Sequence, residues 1–322
     1  MAPERAGDDL QVIVVGPGAV GGAIAVRSSG PGTVVRVVAR GTTADSIVEH
    51  GIELQAHDGG RLVATPAVLT QAAVDALDPP DVVIVCVKTR DTTGILEMLD
   101  RVVTPSTAVV CLQNGITNDR TIAARIGWDR LVPGVVYVGA GRTEANVIVE
   151  RTVPRIELGT HDGRPLPEAV LRLAGGWRER GARVELRDDI LTAKWQKFLF
   201  NAALNPLTAL TGRRLGSIMA DAGGRELFLR LVDDAIKVAH ADGASLWPDA
   251  RERVLAVAGS MDISSSMAED LEAGRPLERE AFGGFVRTLA ARHGIATPAT
   301  DAVDQLLGVV DPGRPSQSIH DG

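Results

Sequence analysis

The chain has 322 residues, 45% hydrophobic and 23% charged, with a formal net charge of −7. That length suggests two domains at about 150 residues each, with enough apolar content for an ordinary core. The acidic balance argues against a nucleic-acid partner, and six histidines without ligand-like spacing argue against a metal site. Cys86 and Cys111 sit in apolar runs, which fits a reducing compartment rather than a disulfide framework. Residues 1–10 are polar and acidic, with no apolar signal segment. No apolar run nears the roughly 20 residues of a membrane span. A cytoplasmic protein with no membrane partner is expected.

Residues 11–15 are β-branched and bounded by glycine, as a buried strand is; 34–39, 82–87 and 107–112 repeat the pattern. Helical spacing follows at 19–28, 91–102 and 118–126, and further strands are expected at 132–140, 147–149 and 156–158. This alternation predicts a parallel sheet with right-handed crossovers. Beyond about residue 190 strand signals vanish, and helices are expected at 190–204, 225–241, 251–261, 278–293 and 300–307. The fold class is therefore α/β, an N-terminal Rossmann-type doubly wound sheet followed by an all-helical C-terminal domain. We place the first domain at 1–185 and the second at 186–310, with a disordered tail at 311–322.

After the first strand, Gly16-Pro17-Gly18-Ala19-Val20-Gly21 reads G-x-G-x-x-G. Glycine fills 35 of 322 positions, so the bare match is weak and its place decides. It opens a helix inside a strand–helix–strand unit, where glycines allow a tight turn and close approach of backbone to a pyrophosphate. The helix N-terminus adds N–H groups and the positive end of a dipole. About 20 residues on, where an NAD enzyme carries an acid for the ribose hydroxyls, the chain reads Val38-Ala39-Arg40-Gly41-Thr42. No carboxylate is there, and Arg40 can pair with a 2′-phosphate. NADPH (NADP+) is expected rather than NADH.

Of 34 lysines and arginines only Lys88, Lys194, Lys197 and Lys237 are lysine. Arginine keeps its proton, whereas lysine can be tuned to release one. Lys197, Asn201 and Asn205 fall on one helical stripe, spread over about 12 Å. Asparagine is a poor helix former, so two inside an apolar helix call for a reason. Pro206 is expected to end or kink the helix just beyond Asn205. Lys194 reads as a surface or helix-end residue, and Trp128, Trp177, Trp195 and Trp247 read as packing.

This segment, which closes on Asn205-Pro206-Leu207-Thr208, resembles the ketopantoate reductase family. Gly16 to Gly21, Arg40, Lys88 after a strand, Gln113-Asn114-Gly115, and Ser265-Ser266-Met267 followed by Asp270, Arg275 and Glu278 agree in order. The resemblance implies NADPH-dependent reduction of 2-dehydropantoate to pantoate, with hydride passing to a 2-oxo carbon and Lys197 as general acid. It implies that Glu278 holds the lysine or substrate and that Asn201, Asn205 and Ser266 bind the substrate. Asn114 would orient the cofactor or lysine, and Lys88 and Arg275 would serve the cofactor side. Two places depart from the family: Gly283-Gly284 stands where an Asn-Gly pair is usual, and residues 144–155 lack the expected glycines. A paralogue acting on another 2-oxo acid, an opine or 3-hydroxyacid type dehydrogenase, and a non-catalytic NADP(H) sensor stay open. So does a homodimer.

Overall fold

The computed structural model describes residues 9–76 and 78–313. They fall into two units, 9–114 with 118–191, and 115–117 with 192–313.

In the first unit β1 (Leu10–Val15) leads through the glycine turn into α1 (Ala19–Ser28), and β2 (Thr33–Val38) returns parallel to β1. There follow α2 (Gly41–His50), β3 (Ile52–Gln55), β4 (Arg61–Ala64) and β5 (Ala67–Leu69). The second half holds β6 (Val82–Val85), α3 (Leu96–Val102), β7 (Ala108–Cys111), α4 (Thr117–Ile126) and β8 (Leu131–Tyr137). It closes with β9 (Ala140–Arg142), β10 (Val147–Glu150), β11 (Arg155–Leu158), α5 (Glu168–Glu179) and β12 (Arg183–Leu186).

The main sheet runs β12-β11-β8-β7-β6-β1-β2-β5, and a smaller one runs β4-β3-β10-β9. From β5 to β8 every pairing is parallel, while β11 is antiparallel to β8. Alternation along the strands builds two cores. Val12, Val14, Val82 and Ile84 face one, and Ile13, Val15, Val83 and Val85 face the other. A sheet covered on both faces needs such continuous apolar runs. Strand order reverses between β1 and β6, so their C-terminal ends form the crevice where open α/β sheets take ligands. On α1, Arg27 forms a buried ion pair with Glu150, and Trp177 Nε1 donates to Ser28 Oγ at 2.9 Å.

The second unit is built around α6 (Ile190–Thr211), whose first turn holds the division. Then come α7 (Leu215–Ala220), α8 (Ala222–Ala241), α9 (Ala250–Ser260), α10 (Ser266–Glu272), α11 (Gly283–His293) and α12 (Pro298–Val310). Its largely aliphatic core holds a cluster of aromatic rings. The Phe198 ring meets Trp195 and Phe285 edge-on, at centroid distances of 5.3 and 5.5 Å, a favoured geometry. Helix ends are set locally: Asp221 caps α8 by accepting from Gly224 N at 2.7 Å, and Gly294 ends α11 in the left-handed region at φ +67°. Among the described residues no helix is long and apolar enough to cross a membrane.

Several expectations need correction. Helix α6 runs through Pro206 to Thr211. Leu199, Ala203, Leu204 and Leu207 are all buried, and this packing outweighs the lost N–H. Residues 89–95 wind as two 3-10 turns, and the α-helix begins only at Leu96. The strand expected over 132–140 breaks before Gly139, whose carbonyl accepts from Arg151 N, and continues as β9 in the other sheet. Arg279–Ala281 is a 3-10 turn, so α11 begins at Gly283 rather than at 278. Lys194 is 4% exposed rather than on the surface. Trp247 is exposed beneath Arg253, whose guanidinium carbon lies 4.2 Å from the ring centroid. Of the expected disordered tail, residues 314–322 lie outside the described residues, whereas Asp311 is fixed by accepting from Leu277 N at 3.0 Å.

Candidate active site

The three glycines of the turn meet three different conditions. Gly16 has φ +87°, and a Cβ there would lie 2.7 Å from Val87 Cγ1 and 2.9 Å from its N. At Gly21 a Cβ would stand 2.2 Å from Gly16 O and 2.8 Å from Cys86 Cβ, so only hydrogen lets α1 close onto the sheet. At Gly18 nothing lies within 4 Å, and that face of the turn is open. Pro17 is buried beside it, and Ala19 and Val20 begin α1. No side chain caps α1 and no acid stands in its first turn, which leaves its N–H groups for an anion. These are the conditions a dinucleotide pyrophosphate needs, so the residues present fit that group. Burial pushes the Cys86 thiol up to about 12, which makes it a packing group rather than a nucleophile.

Lys88 and Asn114 follow β6 and β7 at the same sheet edge. Lys88 is half-buried and precedes the 3-10 turn Thr89–Asp91; Asn114 is exposed. A buried polar cluster holds the two loops together. Gln113 Nε2 donates to Val87 O and to Thr92 Oγ1, both at 2.8 Å. Thr92 Oγ1 donates to Asn118 Oδ1 at 2.9 Å, and Asn118 Nδ2 donates to Thr89 Oγ1 and Asn114 O, both at 3.1 Å. Sequence reasoning passed over Thr92 and Asn118. Their only signal was polar residues at positions that should face a core. Arg40 precedes α2, its side chain 85% exposed, and pairs with Asp91 at 2.7 Å.

In the helical unit Lys197 and Asn201 are half-buried on α6, and Asn205 is 4% exposed, its Nδ2 donating to Asn201 O at 3.1 Å. The stripe thus runs from a part-open lysine to a buried amide. Ser265, not Ser266, caps α10: its Oγ accepts from Ala268 N at 3.1 Å and lies 2.6 Å from Thr208 Oγ1. Ser266 is left exposed. Glu278 is half-buried at the start of the Arg279–Ala281 turn. Arg275 pairs with buried Asp270, Nε to Oδ1 at 2.7 Å. Gly115, at φ +80°, would set a Cβ 3.0 Å from Ala281 O, and Gly283 would set one 3.0 Å from Asp304 Oδ1. Both glycines are required by close packing within this unit. Among the described residues no cluster of metal-ligating side chains occurs.

Two family models match the chain, "Ketopantoate reductase PanE/ApbA" over residues 12–163 and "Ketopantoate reductase PanE/ApbA C terminal" over 189–311. The 2-dehydropantoate 2-reductase of Caulobacter vibrioides is 32% identical over 299 residues, covering 92% of this chain and 97% of that protein. The crystal structure of 2-dehydropantoate 2-reductase from Methylococcus capsulatus aligns with a TM-score of 0.83 at 27% identity, over 95% of this chain and 99% of that one. D-mandelate dehydrogenase, solved with NADH and anilino(oxo)acetate, shares the fold with a TM-score of 0.84 at 21% identity, over 94% of this chain and 98% of that one.

Proposed function

The chain belongs to the ketopantoate reductase family, and on that basis we propose that it reduces 2-dehydropantoate to pantoate with NADPH, Lys197 serving as general acid. Membership makes it an oxidoreductase acting on CH–OH groups with a nicotinamide dinucleotide as co-substrate. The observation that carries the reading is the glycine turn, left-handed at Gly16, close-packed at Gly21 and open at Gly18.

The nicotinamide, when bound, supplies a hydride to the 2-oxo carbon. As the C=O π bond breaks, the oxygen takes a proton from the Lys197 ammonium, so that one C–H and one O–H bond form. Glu278 holds that ammonium in place. Asn201, Asn205 and Ser266 hydrogen-bond the substrate's carboxylate and hydroxyl groups. Gly16 to Gly21 seat the pyrophosphate and Arg40 the 2′-phosphate, while Lys88 and Asn114 orient the nicotinamide end. Arg275 adds positive charge near the cofactor, tempered by Asp270.

The test is nicotinamide oxidation by purified protein against a panel of 2-oxo acids, 2-dehydropantoate first, with NADPH and NADH in parallel. Turnover of 2-dehydropantoate supports the assignment. Turnover of another 2-oxo acid alone makes the chain a paralogue. Dinucleotide binding without turnover of any member overturns the substrate class.

A further inference from the structure

β2 and β6 flank β1, and all three run parallel, so their C-terminal ends lie along one edge with the glycine turn between them. Arg40 stands just past β2, and Asp91 closes the 3-10 turn after β6. The two meet across the end of β1, Arg40 Nη2 donating to Asp91 Oδ1 at 2.7 Å. Arg40 is the N-cap residue of α2, but its side chain makes no capping bond there. Its side chain is 85% exposed and that of Asp91 30%, and an exposed pair adds little to folding.

An arginine that reads a 2′-phosphate must offer its donors to a dianion. Here a carboxylate already holds one of them and brings a like charge to the place the phosphate would enter. We infer that Asp91 is a specificity-determining residue of the cofactor site. Its carboxylate competes with the 2′-phosphate for Arg40 and repels it, so NADPH and NADH are separated less than Arg40 alone would separate them. The inference rests on the reading of Arg40 as the 2′-phosphate ligand. A carboxylate about 5 Å from a dianion in a water-like dielectric opposes binding by on the order of tenfold.

Asp91→Asn keeps shape and one acceptor while removing the charge. Dissociation constants for NADPH and NADH are measured by nicotinamide fluorescence at one ionic strength, for the wild type, Asp91→Asn, Arg40→Gln and the double variant. Asp91→Asn is expected to tighten NADPH about tenfold and leave NADH within about twofold. The gain should shrink in the Arg40→Gln background without vanishing, because competition for the guanidinium is lost there while the like-charge repulsion stays. An equal change for both dinucleotides, or none for NADPH, overturns the inference. Arg40→Gln separates the two levels. A selective loss of NADPH affinity there, without a gain from Asp91→Asn, overturns the role of Asp91 alone. No selective loss overturns the reading of Arg40 as well.

Discussion

The carboxamide of Gln113 donates to the Val87 carbonyl at 2.8 Å, which ties the residue before Asn114 to the residue before Lys88. Its second bond, to Thr92 Oγ1, joins the tie to Asn118, and Gln113, Thr92 and Asn118 are all buried. Gln113→Ala would take the amide donor from the Val87 carbonyl and leave the Thr92 hydroxyl with Asn118 Oδ1 as its remaining partner in the cluster. The expected loss is about 2 kcal/mol in denaturant unfolding, with a weaker hold on the dinucleotide because both loops are released. Unchanged stability would show that water replaces the amide and that the cluster does not set the loops.

The glycine turn separates folding from binding. Gly21→Ala would drive a Cβ into Gly16 O at 2.2 Å and should cost several kcal/mol, since backbone must move. Gly18→Ala meets nothing within 4 Å and should unfold within about 0.5 kcal/mol of the wild type. Its new methyl would still occupy the approach of the pyrophosphate, so dinucleotide affinity is expected to fall by about tenfold or more. Wild-type affinity in a stable Gly18→Ala protein would move the phosphates away from this turn.

The turn was legible because each of its parts is local. A β-branched run, three glycines and the following helix sit within residues 10–28, and their order together with the glycine spacing states the geometry. The same holds for the lysine stripe of α6, which needs only helical periodicity. What the sequence hid depends on distant partners. Asp91 reaches Arg40 across 51 positions, and that meeting requires knowing that β6 and β2 flank β1. Pro206 reads locally as a stop, and only burial on neighbouring helices keeps α6 running past it. Lys194 looks like a surface cation in the sequence, yet on α6 it is buried. The small second sheet escaped because β3 and β10 pair in parallel over about 95 intervening residues, with no pattern within either strand to announce it.

One buried acid joins two helices of the second unit. Asp234 on α8 is 3% exposed, and its Oδ2 accepts from Ala299 N at 3.1 Å and Thr300 N at 3.0 Å, capping the first turn of α12 from outside its own chain segment. Asp234→Ala strands both amides and is expected to cost about 2–3 kcal/mol. Asp234→Asn keeps an oxygen in place and should lose about 1 kcal/mol. Denaturant titration of both variants checks this, and equal losses would mean that charge, not the accepted bonds, holds the helices.

Lys197 carries the most chemistry in the proposal, and its removal should be felt in one step only. Lys197→Ala is expected to bind NADPH as the wild type does, since the glycine turn and Arg40 lie in the other unit, while kcat falls by about 10²–10⁴. Lys197→Arg keeps the positive charge but holds its proton too tightly to give it up, so it should stay nearly as slow. For reduction the acid must be protonated, so the pH profile of kcat should differ between the wild type and Lys197→Ala. A small primary ammonium such as methylammonium, added to Lys197→Ala, should restore part of the rate by entering the vacated space, and should do nothing for Asn201→Ala. Full turnover in Lys197→Ala, or an unchanged pH profile, would assign the proton to another group and leave Lys197 as a binding charge.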